Sequence, residues 1–166
     1  TLSPSDGTAS TWSALADMPS GAVALSATEY NSYVYVPGGW TGSVQSVVRY
    51  GQILADGTIQ PWGTATPLTA GRRAVATAIF NGRLYVWGGW GGSYLNDVLS
   101  APIQADGTLG DWLTSAPTFT TAREGHSGTV YNGFMYVVGG HNGTVLSGVQ
   151  FAPVGPTGAV GTWASN

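Results

Sequence analysis

The sequence repeats itself at an interval of about 50 residues, and this periodicity limits the available folds more than any other feature. One block recurs as SDGTASTW, ADGTIQPW and ADGTLGDW, at residues 5–12, 55–62 and 105–112. A second block recurs in step with it as EYNSYVYVPGGW, IFNGRLYVWGGW and VYNGFMYVVGGH, at residues 29–40, 79–90 and 130–141. A divergent copy of the first block ends at Trp163. Because both blocks keep the same phase, the chain consists of tandem copies of one structural unit.

Each unit reads as four short strands joined by tight turns. The predicted strands of the middle unit are residues 74–80, 83–87, 96–103 and 108–112. Asn81-Gly82 and Asp106-Gly107 lie between these strands, at positions where a hairpin needs residues that tolerate positive φ. No stretch shows sustained helical periodicity, and Gly and Pro interrupt the chain throughout. The sequence therefore predicts an all-β protein built from four-stranded antiparallel units.

The composition narrows the classes of partner. The chain has 166 residues, no cysteine, 8% charged residues and a net charge of −3, and its five basic residues are all arginine. Without cysteine, neither a disulfide framework nor a thiolate metal site can form. With no basic cluster and no apolar run of about 18 residues, we expect no nucleic acid as a partner and no membrane insertion. Abundant small residues beside so few charges predict an extracellular or cell-surface location.

The repeated blocks resemble kelch repeats. The resemblance rests on the strand that ends in an aromatic residue, valine and a diglycine, on the Asn-Gly before it, and on the tryptophan about 24 residues later. It covers nearly the whole chain and is closest to the low-charge kelch arrays of secreted bacterial proteins. It implies a β-propeller of four-stranded antiparallel kelch-like blades, three per chain. The first copy departs from the pattern: Asn31-Ser32 replaces Asn-Gly, and no arginine stands at the position of Arg72 and Arg123.

We predict a single kelch-repeat domain over residues 1–166. Its predicted parts are an N-terminal outer strand at 1–17 and three blades at 18–62, 63–112 and 113–166. The fourth strands would end at Trp12, Trp62, Trp112 and Trp163, so the chain starts and finishes on the same strand type. Propellers usually have about 4 to 8 blades, so three blades would leave two apolar faces uncovered. Either copies associate as a homo-oligomer, with a dimer favoured, or the chain is a fragment of a longer propeller.

No constellation of catalytic or metal-binding residues is visible. The only histidines, His126 and His141, lie at different phases of the repeat, and Asp6, Asp56 and Asp106 are hairpin-turn residues. Kelch-type copper oxidases of the galactose-oxidase kind need a Tyr–Cys crosslink, which this chain cannot make. We therefore predict no cofactor, no metal and no enzymatic activity.

A binding site is the function that the residues favour. Each diglycine is followed by one residue at the same phase, and propeller geometry would bring these residues to one face, near the arginines that precede the first strands. The candidate ligand-binding residues are Trp40, Trp90, His141, Arg72, Arg73, Arg123 and Glu124. Aromatic rings stack on sugars or pack on protein side chains, and arginine supplies directed hydrogen bonds, so the predicted ligand is a glycan or a protein. Three alternatives stand beside this hypothesis: the aromatic residues only fill the channel mouth, the main role is self-assembly, or the chain is an enzyme that acts on a sugar.

Overall fold

The computed structural model describes residues 14–165, which form twelve β-strands and contain no helix, and hence no helix that could cross a membrane. Blade 1 consists of β1 (Thr28–Tyr30), β2 (Tyr33–Pro37), β3 (Val48–Gln52) and β4 (Gly63–Ala65). Blade 2 consists of β5 (Ala76–Phe80), β6 (Arg83–Trp87), β7 (Val98–Pro102) and β8 (Leu113–Ser115). Blade 3 consists of β9 (Ser127–Tyr131), β10 (Phe134–Val138), β11 (Val149–Pro153) and β12 (Ala164–Ser165). Each blade is a four-stranded antiparallel sheet of consecutive strands, which confirms the predicted fold class.

The first hairpin of every blade turns on two residues with positive φ. Asn81 and Gly82 have φ values of 49° and 66°, as the Asn-Gly dipeptide predicts. Asn31 and Ser32 adopt the same turn in blade 1, with φ values of 48° and 62°. Because the pairing of β1 with β2 fixes the register on both sides, the substitution in the first copy leaves this turn unchanged.

The fourth strand of each blade begins later than predicted. In blade 2 we expected it at residues 108–112. Those residues instead follow a tight turn that is closed by the Ile103–Leu109 bridge, and the fourth strand is Leu113–Ser115. Trp112 supplies the physical reason: its indole packs against the core between blades 1 and 2, and its Nε1 donates to Thr66 O at 3.0 Å.

Trp62 and Trp163 make the same kind of indole hydrogen bond as Trp112. Each donates its indole N–H to a backbone carbonyl 46 residues earlier, on Ala16 and Pro117 respectively. Blades 1 and 2 consequently end at residues 65 and 115, beyond the boundaries predicted at 62 and 112. The fourth strand predicted to end at Trp12 lies outside the described residues.

Two apolar cores lie between the blades, so the middle blade is apolar on both faces. In β6, Leu84 and Val86 point toward blade 1, whereas Tyr85 and Trp87 point toward blade 3, as alternation along a strand requires. All four side chains are fully buried. At roughly 1.5–3 kcal/mol for each large apolar side chain, these two cores supply most of the stabilisation of the fold.

His126 occupies a core position that Val75 holds one blade earlier, beneath the second glycine of the diglycine. Its ring is 6% exposed, lies 6.1 Å from the Phe119 ring, and has no hydrogen-bond partner for either nitrogen within residues 14–165. Burial, together with the nearby charge of Arg123, lowers the pKa of His126 to about 4. The folded chain therefore holds this imidazole neutral.

We expect the free energy of unfolding to decrease as the pH falls from about 6.5 to 4, because the unfolded chain takes up a proton that folded His126 excludes. By linkage the loss should be on the order of 2–3 kcal/mol. Urea unfolding at pH 7 and pH 4.5 measures it. His126→Val should remove most of this dependence, and His141→Ala, at an exposed site, should not. Equal acid sensitivity of wild type and His126→Val would contradict the assignment.

Candidate functional site

The loops that follow the diglycines lie along one edge of the three blades. In each blade, the residue after the diglycine forms a backbone bridge with a residue just before the first strand. The bridged pairs are Val23–Trp40, Arg73–Trp90 and Glu124–His141. Reciprocal N–H to carbonyl hydrogen bonds of 2.9–3.1 Å hold each pair. These backbone pairs therefore hold five of the seven predicted site residues along one edge of the blades.

Arg73 lies between two tryptophan rings from different blades. Its guanidinium carbon is 5.1 Å from the ring centroid of Trp40 and 4.9 Å from that of Trp90. Both distances lie within cation–π range, where each contact contributes roughly 0.5–1 kcal/mol at an exposed site. The Arg73 side chain is 32% exposed and both rings are partly buried, so the arrangement faces solvent. We call these three side chains the Trp–Arg–Trp platform.

The platform continues into blade 3 through Glu124. Arg73 Nε lies 3.5 Å from Glu124 Oε2, which is an ion pair without a well-formed hydrogen bond. Beside it, Tyr94 Oη lies 3.3 Å from His141 Nδ1, and the two rings meet edge to face at 5.8 Å. Side chains from all three blades thus form one aromatic and polar ridge.

Arg72 and Arg123 do not contribute to this ridge. Both are 2% exposed. Arg72 makes a two-pronged ion pair with Asp97, at 2.8 and 2.9 Å, and Arg123 donates from Nη1 to Gly139 O at 2.7 Å. Because these guanidinium groups are held inside the fold, we assign both arginines a structural role and leave them out of the proposed ligand surface.

A buried arginine reaches the carbonyl of the first glycine of the diglycine in every blade. Arg72 and Arg123 do so in blades 2 and 3. In blade 1, where Ala22 stands at the arginine position, Arg49 from β3 donates to Gly38 O at 3.3 Å. Sequence reasoning missed Arg49 because it lies at a different phase of the repeat. Its only signal was the absence of an arginine in the first copy.

Tyr94 is the other residue that the sequence reasoning missed. It lies in the same loop as Trp90 and is bridged to it, but Val44 and Val145 hold its position in the other blades, so its aromatic character does not repeat. Within residues 14–165 no three His, Asp or Glu side chains are placed to hold a metal ion. The chemistry available at the ridge is ring stacking, cation–π contact and hydrogen bonding.

Three antiparallel sheets, each of four consecutive strands, define a β-propeller-like protein. A solved structure titled "Structure of YjhT" shares this fold, with a TM-score of 0.62 and 24% sequence identity over 77% of the chain. The match spans 37% of the YjhT chain. No protein-family profile and no curated protein matches the sequence.

Arg72 and Arg73 allow a matched test, because adjacent arginines have opposite assignments. Arg72→Met should lower the free energy of unfolding by at least about 2 kcal/mol. It leaves the Asp97 carboxylate, which is mostly but not fully buried, without its ion-pair partner. Arg73→Met should cost about 1–2 kcal/mol, because its partners are partly exposed. Urea denaturation of both variants measures the difference. A larger loss for Arg73→Met would contradict the two roles.

Proposed function

We propose that the chain is a kelch-type binding module of a secreted or cell-surface protein, and that it engages a glycan or a protein through the Trp–Arg–Trp platform without catalysing a reaction. The observation that carries the proposal is the position of Arg73 between Trp40 and Trp90, with Glu124 beside it.

The platform has features of a ligand surface that the fold itself does not need. The blades are already joined by two buried cores, and the diglycine carbonyls are already satisfied by buried arginines. Tryptophan and arginine are the residues most enriched where binding energy concentrates. Because Arg73 touches both rings, a ligand meets side chains that have already lost much of their conformational freedom, which lowers the entropic cost of binding.

The side chains along the ridge change from apolar at one end to polar at the other. Val23, which is strongly exposed, lies at its apolar end, Arg73 supplies a cation at its centre, and Glu124 and His141 supply acceptors at its polar end. A ligand that combines an apolar patch with hydroxyl or carbonyl oxygens matches this order. Sugar rings and exposed protein loops both have that chemistry, so the proposal includes both ligand classes.

We expect Trp90→Ala and Trp40→Ala each to weaken binding at least about tenfold, the loss typical of an aromatic anchor. The measurement is a glycan array and an extracellular-protein array, followed by calorimetry on any ligand found. Tyr131→Ala is the control, because this aromatic side chain is 74% exposed and lies on β9, away from the platform. Binding to neither array, or an equal loss of affinity in Tyr131→Ala, would contradict the proposal.

A second candidate function is self-assembly, favoured by the outer face of blade 3. Val138 is 42% exposed there, whereas Trp87, at the same position in blade 2, is fully buried by the next blade. Large exposed apolar patches mark interaction sites. We propose that copies of the chain associate through their terminal blades, with a dimer as the favoured state.

Val138→Asp should reduce the solution mass to that of the 17.0 kDa chain, because it places a charge on the face that association would bury. Leu113→Asp should leave the mass unchanged, since Leu113 is exposed on the fourth strand of blade 2, away from the terminal faces. Light scattering across a dilution series measures both. A wild-type monomer at every concentration would contradict self-assembly.

A further inference from the structure

The same four backbone hydrogen bonds join each blade to the next. Between blades 1 and 2 the bonds are Leu68 N to Ser46 O, Arg72 N to Gln45 O, Gly39 N to Arg72 O, and Ala74 N to Ala24 O. Between blades 2 and 3 they are Phe119 N to Asn96 O, Arg123 N to Leu95 O, Gly89 N to Arg123 O, and Gly125 N to Ala74 O. All of them measure 2.8–3.1 Å. The sequence repeat therefore carries a fixed pattern of donors and acceptors for joining blades.

Blade 3 presents one half of this pattern on its outer face. The groups at the equivalent positions are Ser147 O, Leu146 O, Gly125 O and Gly140 N. None of these groups makes a backbone hydrogen bond with another described residue. The outer face of blade 3 thus offers three acceptors and one donor in the geometry that blades 1 and 2 use.

Blade 1 and the segment before it present the other half. The groups at the equivalent positions are Met18 N, Ala22 N, Ala24 N and Ala22 O. Within residues 14–165 these groups also make no backbone hydrogen bond. Three donors and one acceptor on this side match, in order, the three acceptors and one donor on blade 3.

At both internal interfaces, a side chain of one blade covers the glycine in the hairpin between the third and fourth strands of the next blade. At the first interface, the Tyr33 ring lies over Gly107, and Tyr35 Oη donates to Gly107 O at 2.9 Å. At the second interface, Arg83 lies over Gly158 in the same way. A glycine at this hairpin is therefore covered by the preceding blade wherever a preceding blade is present.

Gly57 is the corresponding glycine of blade 1, and within residues 14–165 no atom beyond its own chain neighbours lies within 4 Å of the position its Cβ would take. On blade 3, Phe134 and Tyr136 hold the positions of Tyr33 and Tyr35. Phe134 is exposed and makes its aromatic contact with Phe151 of the same blade. Blade 3 thus has the covering side chains, and blade 1 has the uncovered glycine.

We infer that the outer face of blade 3 binds blade 1 of a second copy of this chain, in the register that joins the blades within one chain. This inference rests on the second function proposed above, that copies associate, and it adds which faces meet and which atoms pair. Gly140 N donates to Ala22 O of the second copy, and Phe134 covers Gly57 of the second copy. Each copy has one face of each kind, so this contact joins two copies into a closed ring where the rotation between blades closes, and joins copies into an open array where it does not.

The internal interfaces also show where a crosslink can report this register. Ser26 Oγ lies 2.8 Å from Thr77 Oγ1 across the first interface. Across the second, a Cβ on Gly128 would lie 2.9 Å from Ala76 Cβ. The equivalent pair at the inferred interface is Ser127 of one copy and Ala27 of the other, both exposed in the single chain. Because the chain has no cysteine, a disulfide introduced there reports this contact alone.

The test is the Ala27→Cys/Ser127→Cys variant of the full chain, oxidised mildly and examined on a non-reducing gel. We expect covalent dimers to form at least about tenfold faster than in Ala27→Cys/Thr129→Cys, because effective concentration depends on register. In that control, one cysteine is displaced by about 7 Å along β9, beyond the reach of a disulfide. A ladder of larger crosslinked species would also support the pairing of faces, in an open arrangement.

Light scattering on the unoxidised variants distinguishes this pairing of faces from self-assembly in general. Association without faster crosslinking of the Ala27/Ser127 pair would overturn the register and leave self-assembly standing. A monomer that does not crosslink would overturn both.

Discussion

The structure depends on the close approach of two backbones where one blade meets the next. The N–H of the second glycine of each internal diglycine donates to the carbonyl of a buried arginine in the next blade, from Gly39 to Arg72 and from Gly89 to Arg123. A Cβ at Gly38 would meet the Arg72 carbonyl, and both glycines have positive φ, so only glycine fits. The guanidinium groups of these arginines then donate to the carbonyl of the first glycine in their own blades, from Arg72 to Gly88 and from Arg123 to Gly139, so these buried carbonyls are not left without a partner.

Local signals in the sequence predicted the parts of the fold that depend on local chemistry. The Asn-Gly and diglycine positions indicated the hairpins and the second strands, and Arg83–Trp87 matches its predicted bounds. The fourth strand was wrong, because its start is set by the indole of Trp112 bonding a carbonyl 46 residues away. No pattern along the chain records a contact of that kind, since the acceptor is a backbone carbonyl that every residue type offers.

The sequence indicated the five candidate residues that share one edge, together with two that do not, but not how their side chains are arranged there. The shared phase of Trp40 and Trp90 indicated that they lie on one edge, and the structure places them there. The position of Arg73 between them follows from the offset between neighbouring blades, which the sequence does not give. The distinction between Arg72 and Arg73 was within reach of sequence reasoning, because adjacent residues in an extended segment point to opposite sides. We grouped them, and the structure separates them into one buried and one partly exposed side chain.

Amide hydrogen exchange at Gly140, followed by NMR over a range of protein concentrations, tests the central claim that the terminal faces repeat the internal blade contact. Gly39 and Gly89, which already donate across the internal interfaces, provide the reference within the same sample. We expect the Gly140 amide to be protected nearly as well as these two at high concentration and to lose that protection on dilution, while the protection of Gly39 and Gly89 persists. Fast exchange of Gly140 at every concentration, beside protected Gly39 and Gly89, would contradict it.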